Sequence, residues 1–173
     1  MFTNVRSNWS LLYSNFKAIL VGRFITPNLP DKIFLNRDFD YYVNYCIDES
    51  ESWPSKAWIN FHMFEFDTGL LFVDWINRME RLSEDYAAMD KVVDLDIPPI
   101  GHENARGDAD YRSVYSDALA ERVGQTWAGE IEAFGFDFDK GLNGDGVLTG
   151  DVRTMKGKAR YDRAANRLIL DGK

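Results

Sequence analysis

One arginine and one serine stand eight residues apart near the start of the chain and could together bind a phosphate group. Arg6 and Ser14 lie within the stretch VRSNWSLLYSNF. A phosphate monoester is bound well by a forked cationic donor together with a neutral hydroxyl donor, and these two side chains supply that combination. Binding requires both groups to converge on one point, so the elements that carry them decide whether the pair can act.

The residues around this pair predict a strand followed by a helix. Residues 1–5 favour a short strand, and Ser7 or Asn8 is a suitable N-cap for a helix that ends near residue 22. Arg6 would then lie at the carboxyl end of the strand, close to the partial positive charge of the helix start. Four apolar residues recur at the spacing of a core-facing stripe: Trp9, Tyr13, Phe16 and Leu20.

Ser14 belongs to a polar stripe beside the apolar one, together with Ser7, Ser10 and Lys17, so it is predicted to face away from the core. At about 1.5 Å of rise per residue, its hydroxyl lies roughly 9 Å along the helix from the cap, within the reach of a long arginine side chain. A simpler interpretation stays open, in which Arg6 makes a surface ion pair and Ser14 is a solvated helix position.

Composition limits the classes of protein that fit. The chain has 173 residues, 45% of them hydrophobic, which is enough for one core. Its net charge of −8 argues against a nucleic-acid binder. No apolar run reaches the roughly 18 residues of a membrane span, and the start lacks a signal-peptide pattern. We therefore predict a cytoplasmic protein with neither nucleic-acid nor membrane partners, in which the single cysteine, Cys46, fills the core.

Charge and pattern divide the chain into two predicted parts. Residues 139–173 carry eight Lys/Arg and five Asp/Glu, a net charge of +3, which leaves −11 for residues 1–138. We predict an α/β domain over 1–138 and a β-rich tail of short hairpins over 139–173. The elements predicted between the first helix and the tail are a loop over 24–34, a helix over 36–49, strands within 61–82 that are joined by an Asp-Thr-Gly turn, a helix over 82–95, a loop over 97–110 and a long helix over 116–134.

Four segments resemble, in the correct order, the sulfotransferases that use 3′-phosphoadenosine-5′-phosphosulfate. The opening VRSNWSLLYSNF is similar to the segment of that family that binds the 3′-phosphate, with Arg6 and Ser14 at the matching positions. The three later segments are VDWINRMERLSEDY at 73–86, HEN at 102–104, and DYRSVYSDALAERVGQTWAGEIEAFGFDF at 110–138. The likeness covers residues 1–138 and is closest to carbohydrate-type and related microbial or viral sulfotransferases.

This resemblance implies a fold, an activity and a set of ligands. The fold would be a partial P-loop-type sulfotransferase fold, and the family activity is transfer of a sulfuryl group from the nucleotide donor to a hydroxyl, here of a carbohydrate. His102 lies in the H-x-N loop and Arg112 at the tyrosine-arginine position of the family, so both join Arg6 and Ser14 as predicted nucleotide-binding residues. Structural roles for His102 and Arg112 stay open as alternatives.

The chain also departs from the family pattern. Asn8 and Leu11 stand where the family has Pro and Arg, and residues 1–138 contain no glycine-rich Lys-Thr/Ser loop to hold the 5′-phosphosulfate. The resemblance thus implies an amino-terminally truncated sulfotransferase domain, inactive alone or completed by self-association or by another chain. A second hypothesis is a non-catalytic binding or assembly module with a vestigial nucleotide site. No catalytic base is assigned.

Metal binding is not predicted. His62 and His102 are the only histidines, and without a cysteine cluster they do not make a zinc site. The stretch GLNGDGVLTGDV resembles the middle of a calcium loop, but Gly141 and Val152 occupy the two end positions that need oxygen ligands. This stretch is predicted to be a turn.

Overall fold

The structure of the chain is a computed structural model. It describes residues 1–22, 30–48, 60–65, 67–94, 98, 110–144, 146–162, 165 and 167–171. Within these ranges, no helix combines the length and the apolar character that crossing a bilayer would require. The described part is a mixed α/β structure, as the sequence predicts at this level.

Helices and strands follow one another along the described ranges of the chain. The helices are α1 (Asn8–Leu20), α2 (Asp31–Asn36), α3 (Phe39–Asp48), α4 (Leu82–Val93), α5 (Asp117–Thr126) and α6 (Ala128–Phe134). The strands are β1 (Phe2–Val5), β2 (Trp75–Arg78), β3 (Phe136–Asp137), β4 (Gly141–Leu142), β5 (Gly150–Asp151), β6 (Ala159–Asp162) and β7 (Arg167–Leu170).

The main sheet has three strands in the order β1-β2-β5. Strands β1 and β2 are parallel, with Phe2 opposite Trp75 and Val5 opposite Arg78. Strand β5 is antiparallel to β2. Because β1 and β2 run in the same direction, their carboxyl ends lie at one edge of the sheet.

Helix α1 follows β1 after two residues, as predicted. Ser7 is its N-cap, and the Ser7 hydroxyl accepts a hydrogen bond from Ser10 N–H at 3.4 Å. The predicted apolar stripe is confirmed at Trp9 and Phe16, which are buried. Leu12 and Ile19 of the same helix are also buried, and Leu20 packs partly buried against the core.

The ends of the predicted long helix are confirmed. The Ser116 hydroxyl accepts a hydrogen bond from Leu119 N–H at 3.3 Å and caps the start of α5. Gly135 ends α6 with φ of 68°, a left-handed conformation that glycine adopts without steric cost. These two residues are ordinary cap types, which is why the sequence predicts both boundaries.

The prediction of one continuous helix over 116–134 is wrong, because the helix is divided at Trp127. This residue has φ of −115° and ψ of 29°, and its side chain is only 3% exposed. Just before it, the Thr126 hydroxyl donates to the Arg122 carbonyl at 2.8 Å. A threonine bond back to the preceding turn commonly bends a helix, and here it immediately precedes the break.

The loop predicted over 24–34 is also wrong in part, because α2 begins at Asp31. Pro30 occupies the N-cap of this short helix. A proline at a helix start has no hydrogen bond to lose, so the two prolines that suggest a loop are compatible with a helix directly after the second one. The earlier residues of the predicted loop lie outside the described part.

Between residues 61 and 82, one strand and one turn are confirmed. Strand β2 is present, and Gly69 N–H donates to the Glu65 carbonyl at 2.9 Å across the Asp-Thr-Gly turn. Around that turn, the described residues form isolated bridges between Phe64 and Leu71 and between Leu70 and Arg160. Pairing at isolated positions does not make the longer strands that the alternating pattern predicts.

The tail forms the predicted hairpin from β6 and β7, and it also packs on the rest of the chain. Ala159 pairs with Leu170 in the hairpin. Leu148, Val152 and Tyr161 belong to the same buried core as the helices. The tail therefore contributes a strand to the main sheet and apolar side chains to its core, while the predicted division of the chain at residue 138 stays a prediction.

An ion pair on the surface connects the tail to the start of β2. Lys156 Nζ lies 2.7 Å from a carboxylate oxygen of Asp74. The hydrogen bond from Lys156, with a further one from the amino group of Met1, lowers the pKa of Asp74 to about 2. Because this folded pKa is depressed, the pair stabilises the fold above the ordinary carboxylate pKa of about 4, and the effect is lost as the pH falls through about 2.

We expect Lys156→Gln to raise the pKa of Asp74 toward the ordinary value of about 3.9, since the first cause of the shift is removed. The measurement is a pH titration of the Asp74 carboxyl carbon by NMR. The exposed neighbour Lys158 supplies the control, and Lys158→Gln should leave that pKa unchanged. A pKa that stays near 2 in Lys156→Gln would assign the shift to another group.

Candidate functional site

Polar residues gather where the two parallel strands end. Arg6 directly follows β1, and Glu80 follows β2 within a 3₁₀ turn over Met79–Arg81. Ser7 N–H donates to Glu80 Oε1 at 2.8 Å, which connects the start of α1 to the turn after β2. The carboxyl edge of parallel strands is where open α/β sheets bind ligands, and we take this edge as the candidate site.

The guanidinium of Arg6 lies against α1. Arg6 Nε donates to the Ser10 hydroxyl at 2.8 Å. Burial lowers the pKa of Arg6, and the nearby Glu80 and Tyr111 offset part of that shift. The side chain is partly buried and keeps a cation at the sheet edge. Sequence reasoning placed Ser10 on the polar stripe but did not predict it as the hydroxyl partner of Arg6.

Ser14 lies one helical turn beyond Ser10 and therefore on the same side of α1. It is partly exposed, and its hydroxyl makes no side-chain hydrogen bond with the residues that the structure describes. The contact that brings Arg6 to this face of the helix is made at Ser10. A joint role of Arg6 and Ser14 in binding stays a prediction.

Arg112 lies near the same edge but is engaged by its own segment. Arg112 Nε donates to the Phe138 carbonyl at 2.8 Å, and Nη1 donates to Asp110 at 3.0 Å. Its guanidinium also lies 4.7 Å from the centre of the Tyr111 ring. Arg112 and Glu80 both lie close to Gly141. Arg112 Nη2 and Glu80 Cγ are each 3.9 Å from the position that a Cβ would occupy on this glycine.

The remaining predicted residue, His102, lies outside the described residues, as does the rest of the HEN segment. The structure therefore brings Arg6, Arg112 and the face of α1 that carries Ser14 to one region. The position of His102 relative to them stays a prediction.

Glu80 is the anionic group of the site. One of its oxygens accepts the Ser7 N–H bond, and Oε2 is buried without a hydrogen-bond partner among the described residues. Burial raises the pKa of Glu80, while the hydrogen bonds from the backbone N–H groups of Ser7 and of Glu80 itself, and the charge of Arg6, act in the opposite direction. A carboxylate of the chain itself therefore already contacts the start of α1.

A buried polar network holds the backbone of Arg6 in place. Arg6 N–H donates to Asn60 Oδ1 at 3.2 Å, and Asn60 Nδ2 donates to the Arg6 carbonyl at 3.0 Å. Glu130 of α6 is fully buried and accepts bonds from Asn60 N–H at 2.8 Å and from Asn8 Nδ2 at 3.0 Å. The sequence of α6 does not indicate this buried role, because Glu130 is a charged residue on a short helix that also carries the exposed Glu132.

A second buried group fixes the end of β2. Arg78 is 2% exposed, and its N–H and Nε both donate to Asp85 Oδ2, at 2.8 Å and 3.3 Å. Arg81 Nε lies 2.9 Å from Asp85 Oδ1. Arg78 therefore makes an internal ion pair with Asp85 of α4.

These groups make the edge suitable for binding an anion. Arg6 and Arg112 supply guanidinium groups, and Ser10 and Ser14 supply hydroxyl groups, whereas the Tyr111 hydroxyl already donates to the Phe138 carbonyl at 3.0 Å. Such a combination suits a phosphate or sulfate ester. In the part of the chain that the structure describes, no group of three His, Cys, Asp or Glu side chains could hold a metal ion.

Comparison with known proteins adds no assignment. A scan against protein-family models, a search of curated proteins and a search of solved structures each found no match. The function is therefore argued from the residues and their geometry.

Proposed function

We propose that this chain is the part of a sulfotransferase-like protein that binds the 3′-phosphate of the nucleotide donor. The observation that carries the proposal is the Arg6 guanidinium, which lies at the carboxyl edge of two parallel strands and contacts the hydroxyl-bearing face of α1 through Ser10. The proposed fold is the corresponding part of a P-loop-type sulfotransferase fold.

The arrangement of the segments supports this proposal. Three of the four stretches that resemble the family meet at the same edge: Arg6 and Ser7 come from the first, Glu80 from the second, and Tyr111 and Arg112 from the fourth. Segments that are about 70 and 105 residues apart in sequence are adjacent here, as expected if they build one ligand site.

The proposed ligand is 3′-phosphoadenosine-5′-phosphosulfate or its product, adenosine 3′,5′-bisphosphate. Arg6 would contact the 3′-phosphate through a charge-assisted hydrogen bond, and Ser14 would donate a neutral one. The acceptor would be a hydroxyl group, and the family resemblance implies that it belongs to a carbohydrate. The 5′-phosphosulfate cradle and the catalytic base would have to come from outside residues 1–138, for example from another chain, so sulfuryl transfer is not proposed for this chain alone.

One observation favours the alternative, a non-catalytic binding or assembly module. The Glu80 carboxylate already accepts the Ser7 N–H bond and lies near Arg6. An anion of the chain itself thus lies where a phosphate would have to bind, and it reduces the attraction of the edge for a second anion. In this alternative Arg6 and Ser14 are remnants of a nucleotide site.

We expect adenosine 3′,5′-bisphosphate to bind the chain weakly, with a dissociation constant of about 1 mM, because only the 3′-phosphate contacts are present. NMR titration measures such affinities through shifts of the Arg6 and Ser14 amides. Arg6→Ala should weaken binding about tenfold and Ser14→Ala about threefold, since a charge-assisted hydrogen bond is stronger than a neutral one.

The controls separate a specific site from general attraction. Lys17→Ala removes an exposed cation of the same helix and should leave the affinity unchanged. Adenosine 5′-monophosphate, which lacks the 3′-phosphate, should not shift the Arg6 amide. Equal responses to both nucleotides, or no loss in Arg6→Ala, would favour the non-catalytic alternative. A micromolar dissociation constant would contradict the claim that the site is incomplete.

A further inference from the structure

A groove beside Trp9 has no role in the proposed nucleotide site. It has a volume of about 540 Å³ and lies between α5 and the turn that follows β3. The rings of Trp9 and Phe138 line it, with centroids 5.6 Å apart and edge-to-face packing. Trp9 is 5% exposed and Phe138 is half-buried, so the apolar surface that the groove offers to a ligand is chiefly that of the Phe138 ring.

Three carboxylates surround these rings. Asp117 and Glu121 lie four residues apart on α5 and thus on the same face of the helix, and Asp139 follows Phe138 in the chain. All three are exposed. Within the described residues none of them makes an ion pair, although Glu121 Oε1 accepts a hydrogen bond from the neutral Gln125 Nε2 at 3.0 Å. The groove is therefore an aromatic surface with uncompensated negative charge on its rim.

Gly124 keeps the groove open. It lies in the interior of α5 without a positive φ, so the backbone does not require glycine there, and alanine would be about 1 kcal/mol more favourable in a helix. A Cβ at this position would lie 3.4 Å from Cζ2 of Trp9. The absence of a side chain at Gly124 thus leaves the space beside Trp9 unfilled, at a cost in helix stability.

We propose that this groove binds a lysine- or arginine-bearing segment of a partner protein. Charge complementarity identifies the partner: three unpaired carboxylates attract ammonium or guanidinium groups, and the apolar stems of these side chains pack on aromatic rings. The segment of the chain up to residue 138 carries a net charge of −11, so electrostatic attraction also accelerates encounter with a basic partner. This inference is independent of the nucleotide site.

The test uses the 173-residue chain and an acetylated, amidated tetra-arginine peptide as the probe, with binding measured by calorimetry at low ionic strength. The groove variant combines Asp117→Asn, Glu121→Gln and Asp139→Asn. A matched control removes three exposed carboxylates elsewhere through Asp40→Asn, Glu84→Gln and Glu132→Gln. We expect the peptide affinity to fall at least tenfold in the groove variant and less than threefold in the control.

A steric variant tests the groove without changing its charge. Gly124→Leu places a side chain over Trp9 and should abolish peptide binding, while Gly124→Ala should reduce it less. Circular dichroism checks that each variant folds; if Gly124→Leu does not, the charge variants still decide. Equal losses in the groove and control variants, or retained binding in folded Gly124→Leu, would overturn the proposal.

The identity of the occupant is tested separately. Free arginine amide should bind at least tenfold more weakly than the peptide if the groove accepts a segment of a protein. Equal affinities would instead indicate a site for a small organic cation. Sedimentation should show the wild-type chain to be monomeric, and self-association that disappears in the groove variant would make a second copy the occupant. Either of these two results would overturn the proposal that a separate basic protein binds the groove.

Discussion

Replacing Asp85 by Ala is expected to lower the free energy of unfolding by about 3–5 kcal/mol, because the substitution removes the carboxylate that pairs with a buried guanidinium. The Arg78 and Asp85 side chains are 3% and 7% exposed. Asp85 also accepts the Arg78 N–H bond and contacts Arg81, so one carboxylate satisfies groups from the end of β2 and from the turn that follows it. Chemical denaturation followed by circular dichroism measures the loss.

Glu84→Ala is the matched control for this experiment. Glu84 is an exposed acid on the same turn of α4, and its removal should change the stability by no more than about 0.5 kcal/mol. The charge change is the same in both variants, so a general electrostatic effect would act on both. A cost below about 1 kcal/mol for Asp85→Ala would mean that Arg78 finds water or another acceptor, and the pair would not fix the strand end.

The parts of the fold that sequence reasoning predicted are those that local residues determine. Ser7 and Ser116 are ordinary N-caps, and Gly135 is an ordinary helix terminator, so the boundaries they mark are present in the structure. The parallel partner of β1 is 73 residues away, and no short-range pattern indicates it. The helix break at Trp127 also depends on tertiary packing of a buried ring, which periodicity does not report.

The sequence predicts the position of the site's cation, Arg6, but not the residues that surround it. Arg6 follows a strand and precedes a capped helix, and that order alone places it at a sheet edge. Glu80 contacts Ser7 only because β1 and β2 are parallel and in register, which is a property of the folded chain. Glu130 reads as an exposed acid on α6, although the structure buries it completely.

Glu130→Ala is expected to cost about 3–5 kcal/mol of unfolding free energy, because it leaves buried amide donors without an acceptor and opens a cavity. The donors are Asn8 Nδ2 and both the N–H and the Nδ2 of Asn60. Glu132→Ala, which removes an exposed acid of the same helix, should cost no more than about 0.5 kcal/mol. Thermal and chemical denaturation measure both variants, and similar costs would show that the network contributes little.

Glu130→Gln separates the effect on the site from the effect on the fold. It keeps the volume and one acceptor oxygen, so we expect a loss of about 1–3 kcal/mol and a chain that still folds. Two adjacent amides then report on the network, because Arg6 N–H donates to Asn60, which Glu130 holds, whereas Ser7 N–H donates to Glu80. Hydrogen exchange of the Arg6 amide should accelerate while that of Ser7 stays slow. Equal acceleration at both amides would mean that the whole strand end opens as one unit, and Glu130 would then stabilise the fold without specifically positioning Arg6.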